Sequence, residues 1–328
     1  MTGDPFRHVT IVGGAGFIGS HLVARLLARS TPERVVVFDN FTSGRRWHLD
    51  AAARDPRLQI IEGQVVDRDQ LVRAMSGATS VVHLASNPDI ARAMVEPTID
   101  FDEGTLLTHC VVEAARLASV GLVLYASGSG VYGDLGEREA DEGHGPLEPV
   151  STYGASKLAG EALISAYAHM FGLRGRSLRF GNVVGPNQTH GVGFDFVRKL
   201  LADPTRLEIL GDGNQSKSYV HVDDVLSAVL LAGEQASDPY DVFNVATGDY
   251  ITVTEIAHLA IDCLGLDPAS VELVYRGGDR GWKGDVPVVR VATGRIRALG
   301  WRNEDGSREA LRRSMMSMLD DGRAGRLW

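Results

Sequence analysis

The sequence predicts an α/β protein, a doubly wound parallel sheet with a smaller C-terminal lobe. Short β-branched runs (VTIV, RVVVFD, LQIIEG, SVVHLA and LVLYAS) alternate with helical patterns through the first half. Such alternation gives a parallel sheet covered on both faces. A glycine-rich turn joins the first strand to the first amphipathic helix in HVTIVGGAGFIGSHLVARLLARS,. After Gly181 glycines and prolines become frequent, in GNVVGPNQTHGVG, GDGNQ and YRGGDRGWKGDVP. Residues 1–180 are therefore assigned to the sheet domain and 181–328 to the lobe. The runs YVHV and VFNVAT, within about 218–247, are expected to return to the main sheet.

Each element has a local reason. In the first turn Gly13, Gly16 and Gly19 follow a GxxGxxG spacing. That spacing suits a tight turn, close backbone approach to a pyrophosphate, and tight helix–strand packing. The second strand, RVVVFDN, ends at Asp39, 20 residues beyond Gly19. An acid there accepts hydrogen bonds from an adenosine ribose and repels a 2′-phosphate, which favours NAD over NADP. Arg45 and Arg46 follow close behind and would suit a 2′-phosphate. Segments Glu103 to Ser119 and Ser151 to Phe171 read as long helices, and the chain after Arg302 as an amphipathic helix with a loose tail.

Composition excludes several classes. The 328 residues are 44% hydrophobic, enough for a two-lobed protein with a sizeable core,. A net charge of −9 argues against a nucleic-acid-binding surface,. Cys110 and Cys263 sit in apolar helical patterns and read as buried thiols,. His8, His21, His48 and His258 lack partners at metal spacing, so no metal site is expected,. The opening MTGDPFRH lacks the features of a signal peptide, and no apolar run approaches a membrane span,. A cytoplasmic location is expected.

The most informative pair is Tyr153 and Lys157 in STYGASKLAGEAL. Four residues is about one helical turn, so both side chains project from one face. An ammonium beside a phenol favours the phenolate and lowers a pKa that starts near ~10. A tyrosine so placed can serve as a general base.

Together GGAGFIGSH, FDNFTSG, VVHLAS, ASGSGVYGD, YGASK, LRFGNVVGPNQ, GDGNQSKSYVHVDD and WKGDVP span nearly the whole chain. In that order the chain resembles an extended short-chain dehydrogenase/reductase of the nucleotide-sugar epimerase/dehydratase family, most of all its UDP-glucose 4-epimerase-like branch. The resemblance implies a Rossmann-type NAD-binding sheet and a lobe closing over a nucleoside diphosphate sugar. It implies that Tyr153 is the acid or base at a sugar hydroxyl. Lys157 would bind the nicotinamide ribose and lower the Tyr153 pKa. Gly13, Gly16, Phe17, Ile18 and Gly19 would face the pyrophosphate, with Asp39, Asn40, Ser43 and Gly44 on the adenosine side. Gln64 and Val65 would meet adenine, and His83, Leu84, Ala85 and Ser86 would line the cofactor. For substrate it implies Asn87, Asn182, Lys217, Tyr219, Arg280, Lys283 and Asp285.

The departures are as informative. Relatives usually carry Ser or Thr three residues before Val131-Tyr132-Gly133, where this chain has Gly128. A hydroxyl there normally shares the sugar hydrogen bond with Tyr153, and its loss would cost about 3 kcal/mol unless replaced. Ser127, Ser129 or an ordered water would replace it; alternatively Gly128 makes room for a different sugar orientation. Dehydratases of the family place Asp-Glu directly before Val-Tyr-Gly, and decarboxylases a Glu, where this chain has Ser129 and Gly130. An arginine of the phosphate clamp is replaced by Trp282, with Arg280 and Lys283 nearby, and Lys217 stands at another arginine position.

The resemblance thus implies NAD-dependent epimerisation at C4 of a UDP-hexose through a 4-keto sugar, in a homodimer paired through the two long helices. The alternatives are another nucleotide-sugar oxidoreductase or dehydratase, and a non-catalytic NAD- or nucleotide-sugar-binding protein.

Overall fold

The computed structural model describes residues 3–323. Strands β1 (His8–Val12), β2 (Arg34–Asp39), β3 (Leu58–Glu62), β4 (Ser80–His83) and β5 (Leu122–Gly128) form the main sheet with two later strands. A short β6 (Glu139–Ala140) precedes the sixth strand of the sheet, β7 (Arg174–Phe180). The seventh is Tyr240–Val245, and the order across the sheet is Tyr240–Val245, β7, β5, β4, β1, β2, β3. Every neighbouring pair is parallel. The chain winds one way from β1 through β2 to β3 and the other way from β4, so a crevice opens between β1 and β4 at the strands' carboxyl ends.

Successive residues of a strand point to opposite faces, and here both faces are buried. Ile11, Val35, Leu122 and Leu124 pack with Leu22 and Leu26 of helix α1 (Phe17–Leu27) and with Val225 and Val229 of helix Val222–Gln235. Val12, Val36, Val81 and Val123 pack on the other face. There they meet Leu71 of α2 (Arg68–Ala74), Val111 and Ala115 of α3 (Leu107–Leu117), and Ile164 of α4 (Thr152–Phe171). This two-sided burial is why the strands read as continuous apolar runs.

The helix expected from Glu103 begins instead with a π-helical turn, Phe101–Leu106, before α3. Gly104 presses on α4 there: a Cβ on it would lie 2.7 Å from Ser156 Oγ. Helix α4 starts where the Ser151 side chain accepts the Gly154 N–H, and it stops at Gly172, whose φ is +72°,.

The lobe has its own core, in which Phe196, Leu200, Ile256, Leu259, Leu311 and Met315 meet from three helices. Of the two runs expected in the main sheet, Tyr240–Val245 lies at its edge, while Tyr219–His221 pairs with Asn182–Val184 in a separate ladder. Pairing of β6 with Arg290–Val291 joins the halves again. The terminal helix is Ser307–Arg323, and the tail expected beyond it lies outside the described residues. Among those residues no helix is long and apolar enough to cross a membrane, and no cluster suits a metal ion.

Candidate active site

The glycine turn closes the crevice from one side. Gly13 has φ +82°, and a Cβ on it would lie 2.7 Å from the Ala85 nitrogen, so any other residue would push β1 and β4 apart,. A Cβ on Gly19 would lie 2.4 Å from the Gly13 carbonyl oxygen, which fixes how closely α1 approaches its own turn. Gly16 sits at the N-terminus of α1, and no side chain caps that end. Its first N–H groups, with Phe17 and Ile18 behind them, therefore point at the crevice with the positive end of the helix dipole.

Asp39 ends β2 beside this turn. Its carboxylate accepts from Ala15 N and Phe41 N, each at 2.8 Å, which holds it beside the turn. Gly44 leaves room for it: a Cβ there would lie 2.9 Å from Asp39 Oδ1. Asn40 Nδ2 donates to Gln64 Oε1 at 3.1 Å, and both residues are exposed at the rim, as is Ser43. Arg46 is turned away, paired with Glu62 and lying over the Phe41 ring. Val65 corrects an expectation, because its side chain belongs to the core with Phe38 and Leu71. Glycine cradle, uncapped helix and carboxylate together suit a dinucleotide whose ribose carries its 2′-hydroxyl.

On the far side of the crevice, Leu84 N and Ala85 N both donate to the Val12 carbonyl, at 2.9 and 3.1 Å. Tyr153 and Lys157 face this segment from the first turns of α4. Lys157 is 3% exposed, and its ammonium donates to the Ala126 carbonyl at 2.9 Å and lies 5.3 Å from the Tyr153 ring centre. The expected lowering of the Tyr153 pKa by Lys157 does not hold in this arrangement. Burial pushes Tyr153 up to about 12, the Asp100 charge adds to that, and a hydrogen bond from Ser86 opposes it. Burial also pushes Lys157 down to about 8, against the pull of Asp100.

Two expected substrate contacts are engaged elsewhere. Asn87 donates to the Asp89 carbonyl and to Asp100 Oδ1, each at 2.9 Å, and its oxygen accepts from Asp89 N. The amide has no donor left for a sugar. Ser127, expected as a replacement hydroxyl, donates to Glu161 Oε1 at 2.5 Å, and Arg179 grips the same carboxylate through Nε and Nη2. Ser129 remains, half-buried at the start of a single turn, Ser129–Tyr132. That turn packs directly on α4: a Cβ on Gly154 would lie 2.5 Å from the Gly130 carbonyl oxygen. At Gly128 there is space, since a Cβ would meet only the Phe180 carbonyl oxygen, at 4.0 Å.

From the lobe, Lys217 and Asp285 pair at 2.5 Å, and Arg280 pairs with Asp134 at 2.7 Å while donating to the Asp285 carbonyl. Lys283 is exposed. Asn182 donates to the Ser218 carbonyl, next to Tyr219 in the short ladder. The Tyr219 ring packs in the lobe core with Phe196 and Ile256, while its hydroxyl feels the charge of Asp285. The 281–285 segment reaches the start of α4, because a Cβ on Gly284 would lie 3.3 Å from Ser151 Cβ. The lobe cations and Tyr153 thus border one cleft.

Comparison with known proteins decides the family. The sequence profile of the NAD dependent epimerase/dehydratase family matches residues 9–246. The chain belongs to that family. It is 36% identical to the UDP-glucose 4-epimerase of Mycolicibacterium smegmatis over 257 residues, 76% of this chain and 80% of that one. Its fold is similar to a crystal structure of UDP-galactose 4-epimerase (TM-score 0.84, 35% identity, 98% of this chain and 100% of that one). It is also similar to DesIV, a dTDP-glucose 4,6-dehydratase from Streptomyces venezuelae solved with NAD bound (TM-score 0.88, 30% identity, 96% and 98% covered). This family member is an NAD-dependent enzyme with the extended short-chain dehydrogenase fold.

Sequence reading missed the polar frame of this family member's site, namely the buried Asp100, Glu161 and Arg179 with the exposed Thr152 bound to Asp100. Glu161 was within reach, since it lies four residues after Lys157 on the face that carries Tyr153. Arg179, like Arg176, is a charge inside a buried strand, which calls for a partner,. Asp100 gave no signal, because nothing in its neighbourhood of sequence shows that Asn87 and Thr152 fold against it.

Proposed function

We propose that the protein is an NAD-dependent epimerase acting at C4 of a UDP-hexose, working as a cytoplasmic homodimer. Bound NAD supplies the two-electron acceptor that takes the C4 hydrogen and later gives it back. The glycine turn, the N-terminus of α1 and Asp39 hold the cofactor, and Lys157 holds its nicotinamide ribose. Tyr153 removes the C4 hydroxyl proton as the carbon is oxidised. The 4-keto sugar turns in the cleft, and Tyr153 returns the proton to the opposite epimer. The burial of Lys157 and the half-burial of Tyr153 limit water at the ketone and strengthen each charge interaction there,. Lys217, Arg280 and Asn182 would meet the diphosphate, after Lys217 and Arg280 exchange their present carboxylate partners.

The observation that carries this reading is the Ser129–Gly130 turn. It packs on Gly154, beside Tyr153, and bears no carboxyl group. Glu161 is sealed in its ion pair, and Asp100 is bound by Asn87 and Thr152. Elimination and decarboxylation need an acid or base next to the reacting carbons, and these carboxylates are committed. The similarity to DesIV favours dehydration as the second reading.

The test is incubation of purified protein with UDP- and dTDP-hexoses, followed by NMR without added cofactor. A C4 epimer is the expected product. A 4-keto-6-deoxy sugar would replace this reading with dehydration, and binding without turnover would replace it with a non-catalytic role.

A further inference from the structure

Two carboxylates stand side by side at the carboxyl ends of neighbouring strands. Asp39 ends β2, Glu62 ends β3, and the parallel register pairs them directly, on strands about 4.8 Å apart,. Asp39 is buried and accepts from Ala15 N and Phe41 N, each at 2.8 Å. Glu62 is exposed, and its carboxylate holds the guanidinium of Arg46.

Arg46 is anchored a second time. Its guanidinium carbon lies 4.2 Å from the centre of the Phe41 ring, a cation–π contact,. Phe41 has φ +57°, a conformation that bulky side chains rarely adopt,. The bond from its N–H to Asp39 Oδ1 supports that conformation. Asp39, Phe41, Arg46 and Glu62 thus form one chain of contacts at the end of β2. Arg45, the other cation of this loop, donates to the Ser43 and Gly44 carbonyls at 3.2 and 3.4 Å.

We propose that Glu62 is a specificity-determining residue for the cofactor: by holding Arg46 on Phe41, it withholds the cation that a 2′-phosphate needs. Asp39 disfavours that phosphate by its own charge. Glu62 adds a second cost, because Arg46 must leave its carboxylate partner before it can serve the phosphate, and a bare carboxylate then faces the new anion. Refusal of NADP therefore comes from two neighbouring strands and not from Asp39 alone. The inference goes beyond the proposed reaction and stands whichever sugar carbon reacts.

The experiment dialyses the full-length protein to equilibrium against an equal mixture of NAD and NADP. The bound nucleotides are then released and counted, so the ratio reads relative affinity without turnover. Wild type should carry NAD almost exclusively. Glu62→Gln should raise the NADP-to-NAD ratio about fivefold, the scale of one exposed ion pair. In an Asp39→Asn background the same change should add at least that factor again. Arg46→Ala alone should leave the ratio unchanged, because Arg46 is already engaged, and combined with Glu62→Gln it should cancel most of the gain. Glu62 and Arg46 are both exposed, so variants at these positions should melt with wild type,. A ratio unmoved by Glu62→Gln in both backgrounds would overturn the proposal. So would a gain that survives Arg46→Ala intact, or a wild type that binds the two nucleotides equally. Failure of the epimerisation assay would leave this test standing.

Discussion

Glu161 and Arg179 form a two-point ion pair between α4 and β7, Nη2 to Oε2 at 2.7 Å and Nε to Oε1 at 2.9 Å. The two side chains are 5% and 4% exposed, and the pair also binds Ser127 and the Tyr132 hydroxyl. It joins the helix that carries Tyr153 to the sheet beneath. Removing one partner leaves a buried charge uncompensated, which costs about 3–5 kcal/mol. Arg179→Met should therefore lower the melting temperature sharply. Arg179→Met with Glu161→Gln should recover much of the loss, a result that calorimetry of the single and double variants checks.

Tyr153→Phe deletes the transferable proton and little else. Turnover should fall by about 10²–10⁴-fold. NAD and UDP binding, followed by calorimetric titration, should change little. Near wild-type kcat would refute the role given to Tyr153.

Gly128→Ser tests the missing hydroxyl. Gly128 has φ −154° and ψ 161°, extended backbone that serine adopts readily. With only the Phe180 carbonyl 4.0 Å from a new Cβ, stability should stay within about 0.5 kcal/mol of wild type,. On UDP-glucose kcat should rise several-fold. A fall with stability unchanged would mean that the native sugar uses that space.

Lys157 makes stability depend on pH. Burial holds its folded pKa at about 8, below the value of 10.5 in an open chain. Between those values the unfolded chain binds a proton that the folded chain does not, so this contribution grows as pH rises from 8 and is lost as pH falls back through 8,. Lys157→Met should flatten that slope in denaturant titrations. At pH 7 it should add up to about 3 kcal/mol while abolishing efficient turnover. Equal slopes in the two proteins would show that the ammonium does not feel its burial.

The exposed side of α3 and α4 bears on assembly. Met170 is 72% exposed, with Phe171 and Leu117 nearly half exposed, at the ends of the two helices. Val111 and Ile164, on the same two helices, lie inside the monomer. Light scattering at micromolar concentration should return twice the chain mass of 35.3 kDa. The monomer mass would reject the homodimer.

The fold and the cofactor side of the site were legible because they depend on local pattern. Strand alternation, the glycine turn and Asp39 each carry a signal within a few residues. Tyr153 and Lys157 were legible for the same reason, as neighbours on one helical turn. The electrostatics were not, because burial reverses the simple pair argument: both groups lose water, and Lys157 spends its hydrogen bond on Ala126. Ser127 misled for a related reason. Its neighbours in sequence say nothing of Glu161, which lies 34 residues away. Val65 sits beside a polar loop residue in sequence but turns its side chain into the core, which only the packing against β2 reveals.

The Lys217–Asp285 pair has a further consequence, for selectivity among anions. A ligand must draw the ammonium away from a carboxylate 2.5 Å distant, and must do so beside Arg280, itself held by Asp134. A single small anion gains too little to displace those partners, since the exchange replaces one ion contact by another. On the proposed reading a nucleoside diphosphate would gain several contacts at once and release two carboxylates that can receive ribose hydroxyls. Under the proposed function the cleft would therefore act as a competitive filter, rejecting inorganic phosphate and free sugars and yielding to a molecule that carries both groups.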